Sequence, residues 1–256
     1  MNKKDINNSI ASTKLGNPTY VWQSGQERRL TLIEAHLTKI SAKNIIDIGC
    51  GVGAYTQKIY QKGYNVFGLD VETERIEKAK KIEDANQNTN ILEYMSAVGE
   101  FLPFKDSTID AIILNEVIEH VDNEAKVVSE IERVLAKQGI AIIFAPNILF
   151  PFETHGCYIG KKFIFRNIPF INWFPKKIRN KLVPHARVYS KKSIEKLFST
   201  NNMKIEHHGY IFPGFNNIER RSKFLAKILR RILYKIENGV FACFGISHFM
   251  IVKKIN

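Results

Sequence analysis

The stretch Ile45-Ile46-Asp47-Ile48-Gly49-Cys50-Gly51-Val52-Gly53 decides the fold. Its apolar start predicts a short buried strand, which runs directly into a turn with three glycines and then into a helical pattern. Glycine is needed where a backbone turns tightly or approaches a ligand closely. Because ligands of open α/β sheets bind outside the carboxyl ends of the strands, the stretch predicts a ligand site at this turn.

The spacing of the glycines distinguishes between classes of ligand. Dinucleotide-binding folds use Gly-x-Gly-x-x-Gly, whereas Gly49, Gly51 and Gly53 form Gly-x-Gly-x-Gly. The acid before the turn, Asp47, would repel a pyrophosphate but suits a cation. The turn therefore favours a ligand that carries positive charge.

Strand and helix patterns alternate outward from this turn. Strands are predicted at 44–48, 65–70, 91–96, 110–114 and 139–145, and helices at 21–40, 55–62, 71–84 and 123–135. Further helices are predicted at 190–200 and 218–236, and further strands at 203–209 and 248–253. This alternation predicts a parallel sheet covered on both faces.

Composition limits the class of protein. The chain has 256 residues, of which 45% are hydrophobic and 25% charged, so a disordered, collagenous or coiled-coil chain is excluded. Cys50, Cys157 and Cys243 are too few and too distant in sequence to imply a disulfide framework. No apolar run approaches the roughly 18 residues of a membrane span, and the N-terminus lacks the apolar segment of a signal peptide. We therefore expect a cytoplasmic protein.

Positive charge is concentrated in the second part of the chain. Residues 1–145 contain 17 Lys and Arg against 20 Asp and Glu, whereas residues 146–256 contain 21 against 5. A generally basic proteome would not produce this asymmetry. It indicates an anionic partner, which is a membrane surface, a nucleic acid or an acidic substrate.

Several motifs occur in one order along the chain. After the turn at 47–53, the second strand ends with an acid, in Gly68-Leu69-Asp70. The fourth strand is preceded by Glu100-Phe101-Leu102-Pro103-Phe104 and followed by Asn115-Glu116-Val117-Ile118-Glu119-His120-Val121. The fifth strand is flanked by the segments 135–140 and 145–147. This set resembles the motifs of class I S-adenosylmethionine-dependent methyltransferases, closely over residues 30–147 and loosely over 185–254.

The resemblance implies a Rossmann-like, doubly wound α/β fold with a seven-stranded, mostly parallel sheet and an antiparallel last strand. It also implies S-adenosyl-L-methionine as the cofactor. In such a site Asp70 would accept both ribose hydroxyls, the alternative being a strand-end cap. Gly49, Gly51 and Gly53 would let the backbone pass under the ribose and the amino-acid tail. Asp47 would orient this loop or accept from the tail ammonium.

Three more positions complete the cofactor site that the resemblance implies. Cys50 lies within the turn, and Asn115 would lie near the methionine portion. Val98 stands where the family often has an acid beside the adenine, so it would pack against the ring. The polar contact to the adenine would then come from the backbone or from Glu100.

The block after the fourth strand carries the candidate catalytic groups. His120 is the best placed titratable residue to act as a general base toward a hydroxyl acceptor. Glu116, Glu119 and His120 form E-x-x-E-H, and the two acids would share a face if this segment were helical. Similar clusters bind metal in ubiquinone-type O-methyltransferases and small-RNA 3′-end methyltransferases, and His185 would be a further ligand. The alternative, which we favour, is a metal-free site.

The domain organisation predicted is a flexible segment 1–20 and one methyltransferase domain at 21–256. Within it, the aromatic and basic insertion 148–185 would cap the substrate cleft or form a small hydrophobic subcore. The segment 218–236 reads as a basic amphipathic helix, which either lies on an anionic bilayer or packs on the sheet.

These features predict an enzyme that transfers a methyl group to a small-molecule or lipid-like acceptor on oxygen, with peripheral membrane contact. An RNA methyltransferase is one alternative, since the basic half would bind phosphates. A non-catalytic cofactor-binding interaction protein is the other, and the intact glycine turn with Asp70 argues against it.

Overall fold

The computed structural model describes residues 22–81, 90–237 and 239–256, so the predicted flexible segment 1–20 lies outside the described residues. The strands of the central sheet are β1 (Asn44–Ile48), β2 (Asn65–Asp70), β3 (Leu92–Ser96), β4 (Ile109–Asn115), β5 (Leu135–Pro146), β6 (Met203–Ile211) and β7 (Ser247–Lys254). The helices are α1 (Ser24–Lys39), α2 (Ala54–Tyr60), α3 (Thr73–Lys81), α4 (Glu124–Val134), α5 (Lys176–Leu182), α6 (Lys191–Phe198), α7 (Asn216–Glu219) and α8 (Lys223–Ile236).

The seven strands form one sheet in the order β6-β7-β5-β4-β1-β2-β3. β1 pairs in parallel with β2 and β4, and β2–β3 and β4–β5 are also parallel. β7 is antiparallel to both of its neighbours, β5 and β6. The predicted doubly wound sheet with an antiparallel last strand is therefore confirmed.

Alternate residues of β1 bury into opposite faces of the sheet. Ile45 belongs to the apolar cluster that includes Ile33 of α1, whereas Ile46 belongs to the cluster that includes Ile131 of α4. Both β1 residues are fully buried. This is why the strand reads as a continuous apolar run, and it fixes the glycine turn at the carboxyl edge of the sheet.

Helix boundaries differ from the sequence patterns where capping residues intervene. α1 begins at Ser24 rather than 21, because Gln23 and Gln26 form a reciprocal capping box. The predicted helix 71–84 is observed as Thr73–Lys81, and residues 82–84 lie outside the described residues. None of the helices in the described ranges combines the length and apolar character needed to cross a bilayer.

The predicted continuous helix 218–236 is wrong. The chain forms the short α7, turns at 220–222, and starts α8 with Ser222 as N-cap, whose side chain accepts from the Leu225 amide at 3.2 Å. Serine ends a helix pattern readily because its hydroxyl competes for backbone amides. The break separates α7, which lies beside the cavity described below, from α8, one side of which is exposed.

The insertion between β5 and α6 folds as a compact layer. Two short strand pairs join Phe152–Glu153 to Ile168–Pro169 and Cys157–Ile159 to Lys162–Ile164. They are followed by the 3₁₀ turn Ile171–Trp173 and α5. Its small core contains Cys157, Ile171, Val183 and Ala186. The insertion therefore has the small hydrophobic subcore that was one of its two predicted arrangements. Other residues of the insertion reach the cavity described below.

Candidate active site

A cavity of about 1060 Å³ opens at the carboxyl ends of the parallel strands. The glycine turn, the end of β2 and residues 97–100 line it, together with residues 115–117, 120 and 121. The insertion contributes Phe150, Phe152, His155 and Trp173, and α1 contributes Arg28 and Arg29. This is the crevice in which open α/β sheets bind ligands.

The glycine turn is shaped by both packing and ligand access. Gly49, Gly51 and Gly53 all have positive φ, at 71°, 58° and 81°. A Cβ on Gly49 would lie 2.4 Å from Val117 Cγ2, and one on Gly53 would lie 2.5 Å from Tyr94 Oη. A side chain at Gly49 or Gly53 would therefore clash with the protein itself, whether or not a ligand is bound.

The turn and Asp70 form one hydrogen-bonded unit. Asp70 is buried at the end of β2, where Oδ2 accepts from the Gly51 amide and Oδ1 from the Glu72 amide, both at 2.9 Å. Each carboxylate oxygen retains a second lone pair. Because Asp70 also lines the cavity, the strand-end cap and a role as acceptor for a vicinal diol are compatible.

The remaining predicted cofactor residues divide into two groups. Gly49, Cys50, Gly51, Asp70, Val98 and Asn115 line the cavity. Among the described residues, Asp47 and Gly53 are the two that do not. Asp47 instead accepts from Thr56 Oγ1 at 2.7 Å, which joins β1 to α2. Burial raises the pKa of Asp47 to about 7. The geometry supports its role in orienting the loop, not contact with a ligand ammonium.

On the predicted adenine side, Val98 lines the cavity together with Ala97 and Gly99. One oxygen of Glu100, Oε1, accepts from the amides of Asp122 and Asn123 at 3.0 and 3.1 Å. This contact fixes the entry to α4. Glu100 therefore stabilises the start of α4, in addition to any contact with the adenine.

Glu116 does not join the cluster that the sequence suggested. It has φ of 59°, so the segment is not helical and the two acids do not share a face. Its Oε1 accepts from Arg29 at 2.7 Å and from the Ser247 hydroxyl. Burial acts to raise the pKa of Glu116, but Arg29 and Ser247 outweigh burial and hold it below its usual value. Arg29 also donates to Asn115 Oδ1.

His155 lies beside Glu119 and His120, where Glu116 and His185 were considered as metal ligands. Glu119 Oε1 lies 3.8 Å from His120 Nε2 and 3.7 Å from His155 Nε2. One ligand atom from each of these three residues lies within 4.8 Å of the others. The cluster therefore differs in one member from the possible metal set Glu116, Glu119 and His120, because His155 reaches it from the insertion.

Contacts on the far side of each ring orient the two histidines. His120 Nδ1 lies 2.9 Å from the His185 carbonyl, and His155 Nδ1 lies 2.8 Å from Glu153 Oε1. A ring nitrogen facing an acceptor carries the proton, which directs Nε2 of both rings toward Glu119. His185 therefore supports this arrangement through its carbonyl, which faces His120, and through its ring, whose Nε2 lies 3.1 Å from the His155 carbonyl.

The ionisation of the cluster follows from its burial. Glu119 is 1% exposed, and neither carboxylate oxygen has a hydrogen-bond partner among the described residues. Burial raises the pKa of Glu119 and lowers that of His120. Burial would also lower the pKa of His155, but Glu119 and Glu153 raise it to about 10. A buried carboxylate without hydrogen bonds beside two imidazoles fits a bound metal ion.

Sequence reasoning missed Arg29, Glu153, His155 and Arg179. Arg179 is buried and donates to Glu153 Oε2 at 2.8 Å and to the Ala186 carbonyl at 2.6 Å. Glu153 in turn holds His155. The insertion has no periodicity from which these contacts follow, and nothing in the spacing of Glu153 and His155 distinguishes them from solvated residues.

Known proteins share this arrangement of strands and motifs. The family described as Methyltransferase domain matches residues 46–143, from β1 into β5. The structure of an S-adenosylmethionine-dependent methyltransferase from Mesorhizobium loti gives a TM-score of 0.58 at 14% identity, over 88% of this chain and 96% of that one. A methyltransferase structure from Methanosarcina mazei gives 0.59 at 16% identity, over 88% and 97%. These likenesses show the fold.

Sequence relatives extend the match. A protein named Ubiquinone biosynthesis O-methyltransferase from Bartonella bacilliformis is 28% identical, over 73% of this chain and 71% of that one. Another of that name from Rickettsia typhi is 26% identical, over 88% and 78%. Together these matches support a class I S-adenosylmethionine-dependent methyltransferase and indicate S-adenosylmethionine as the cofactor. Within that class it is similar to the ubiquinone biosynthesis O-methyltransferases.

Proposed function

We propose that this enzyme methylates a hydroxyl group of a small, lipid-like acceptor. The observation that carries the proposal is one cavity that is lined both by the glycine turn with Asp70 and by His120 with His155. The buried Glu119 lies 3.8 and 3.7 Å from these two histidines. The similarity to proteins named ubiquinone biosynthesis O-methyltransferase supports both the oxygen acceptor and its apolar character.

The cofactor residues proposed are Gly49, Cys50, Gly51, Asp70 and Asn115, with Val98 beside the adenine. Bound S-adenosylmethionine supplies a methyl group activated by a sulfonium. Asp70 accepts from the ribose hydroxyls while it holds the Gly51 amide. The enzyme's contribution to rate is then largely the alignment of the acceptor with that methyl group.

The lining of the acceptor side matches a molecule with an apolar body. Phe150, Phe152 and Trp173 from the insertion line the cavity together with Leu233 of α8 and Phe244. Aromatic and aliphatic walls around a few polar groups are typical of sites for apolar small molecules. The insertion therefore serves as the cap of the acceptor site in this proposal.

His120 is the proposed general base. Its ring lines the cavity, and Nδ1 faces the His185 carbonyl, so the proton of the neutral ring is on Nδ1 and Nε2 can accept the proton of an acceptor hydroxyl. Removing that proton as the methyl group arrives increases the nucleophilicity of the oxygen.

The same cluster fits a metal ion, which the sequence did not favour. Glu119, His120 and His155 would hold it, with Glu153 orienting His155. Two imidazoles and one carboxylate suit zinc or another transition ion better than magnesium. Such an ion would act as a Lewis acid on the acceptor oxygen.

The proposed function predicts the chemistry and the size of the acceptor. We expect methyl label from the cofactor to enter an alkyl-tailed catechol, and to enter the tail-less catechol more slowly because it lacks the apolar contacts of the cap. The measurement is extraction and counting of labelled product, with His120→Ala as the control of strongly reduced turnover. Label in the corresponding amine or in RNA, with none in either catechol, would contradict the proposal.

The metal proposal predicts a contrast between two neighbouring acids. We expect Glu119→Gln to lose bound metal, measured by elemental analysis, and Glu116→Gln to retain it, because Glu116 is bound to Arg29. Chelation of the wild-type enzyme should abolish turnover, and Zn²⁺ or Mn²⁺ should restore it. Full turnover of enzyme shown to be metal-free would reject the ion and leave His120 as the base alone.

A further inference from the structure

One side of α8 presents an apolar row to solvent. Phe224, Ile228 and Ile232 are spaced four residues apart, so they lie one above the other along the helix. Their exposed fractions are 76%, 38% and 55%. Leu225, beside them, is 47% exposed. These four side chains therefore do not pack against the sheet, whereas Leu229, Leu233 and Ile236 of the same helix are half-buried.

The opposite side of α8 holds the helix in a fixed orientation. Ala226 is fully buried, and Leu233 lines the cavity. Arg230 donates to the Gly214 carbonyl at 2.8 Å and binds Glu219. The guanidinium of Arg28 lies 3.8 Å from the centre of the Tyr234 ring. Through these contacts the inner side of α8 packs against the rest of the protein, and its outer side faces away from it.

The 3₁₀ turn Val240–Phe244 contacts α8 and extends the apolar surface. Val240 is 89% exposed and Phe241 64%. The turn is not a loose loop, because Asn147 Nδ2 donates to the carbonyls of Cys243 and Gly245 at 2.6 and 2.8 Å. The fold therefore holds these two side chains outward.

A basic row runs directly beside the apolar one. Lys223, Lys227, Arg231 and Lys235 are also spaced four residues apart and are all exposed. The first three each directly precede a member of the apolar row. The nearby acids are already engaged, Glu219 with Arg230 and Glu237 with Arg28. The outer side of α8 thus combines exposed apolar side chains with an uncompensated line of positive charge.

We propose that the apolar row, the basic row and residues Val240 and Phe241 form a surface that binds an anionic phospholipid bilayer, with α8 lying in its plane. Apolar side chains would enter the acyl boundary while Lys and Arg contact the phosphates, as in interfacial amphipathic helices. A surface for single-stranded nucleic acid would instead combine basic groups with stacking aromatics. The aliphatic Ile228 and Ile232 have no role in that mode, so the bilayer is favoured.

This surface adjoins the entrance of a lipid-like acceptor. Leu233 of α8 and Phe244 of the turn line the cavity, whereas their neighbours Ile232 and Phe241 face outward. An acceptor dissolved in the bilayer would then pass along α8 into the active site. This second step rests on the proposed function, whereas the bilayer surface itself does not.

Vesicle sedimentation tests the charge row. The wild-type protein is expected to bind vesicles that contain phosphatidylglycerol and not pure phosphatidylcholine, with binding that falls as salt is added. Lys227→Glu with Arg231→Glu should weaken binding at least about thirtyfold. The control Lys78→Glu with Lys80→Glu makes the same charge change on α3, at the opposite edge of the sheet, and should weaken it far less.

The apolar row is tested separately. Phe224→Ser with Ile232→Ser is expected to weaken vesicle binding at least about tenfold, and Ile91→Ser, at an exposed apolar residue next to β3, should not. All variants should keep wild-type affinity for S-adenosylmethionine, which shows that they are folded.

Three outcomes decide the proposal. Binding that requires anionic lipid and both rows supports it. Equal recovery in the supernatant with and without anionic vesicles overturns it, as does salt-sensitive binding of poly-uridine through Lys227 and Arg231 without vesicle binding. Turnover on the tail-less catechol without vesicles is measured in parallel, so that failure of the proposed function is distinguished from failure of the membrane surface.

Discussion

Replacing His120 by alanine is expected to lower turnover by about 10²–10⁴-fold and to leave the affinity for S-adenosylmethionine nearly unchanged. The reason is positional, because the imidazole lines the acceptor side of the cavity and its Nδ1 is held 2.9 Å from the His185 carbonyl. Turnover at saturating cofactor and calorimetric titration of the cofactor measure the two effects separately.

Two further variants make this result specific. His207→Ala removes an exposed histidine of β6 and should leave turnover unchanged. Asp70→Ala should show the reverse pattern, with cofactor affinity about tenfold to a hundredfold weaker, because a charge-assisted acceptor is lost. If His120→Ala instead weakened cofactor binding and left turnover at saturating cofactor intact, His120 would be part of the cofactor site and not the base.

The metal content of His120→Ala separates the two roles proposed for the ring. A residue that acts only as a general base can be removed without a change in the affinity with which Glu119 and His155 bind an ion. A ligand cannot be removed without loss of that affinity. Equal metal affinity in wild type and variant, together with the expected loss of turnover, would assign His120 to proton transfer alone.

The sheet could be predicted from sequence because its signals are local. β1 and β2 were predicted with their observed bounds, since each is an apolar run that ends in a turn or an acid. The turn and Asp70 were predicted to lie together because parallel strands end at one edge. Their mutual hydrogen bond, from Gly51 to Asp70, agrees with that reasoning.

The acceptor side could be predicted only in part, because its residues are brought together by the tertiary fold. Glu119 and His120 are adjacent in sequence, but His155 reaches them from an insertion without periodicity. Glu116 leaves the cluster because Arg29, 87 residues earlier, binds its carboxylate. A positive φ at residue 116 is likewise invisible in the pattern E-x-x-E-H.

Replacing Arg179 by methionine is expected to lower the free energy of unfolding by about 3–5 kcal/mol, because it leaves the buried Glu153 carboxylate without its guanidinium partner. Arg179 is 3% exposed, and it also donates to the Ala186 carbonyl. The measurement is urea unfolding. Lys62→Met, which breaks the half-exposed Lys62–Glu34 pair, is the control and should cost less than about 1 kcal/mol.

A double variant tests the cause of the loss. If loss of the guanidinium charge dominates, Glu153→Gln added to Arg179→Met should recover part of the lost stability, because the carboxylate that Arg179 compensates is then replaced by a neutral amide. The wild-type pH profile checks the same carboxylate. Burial opposes its ionisation, but His155 and Arg179 hold the pKa of Glu153 at about 2, so its contribution to stability is present above its ordinary pKa of 4.5 and declines as the pH falls toward 2. A double variant no more stable than Arg179→Met would show that Arg179 acts through packing and its carbonyl contact instead.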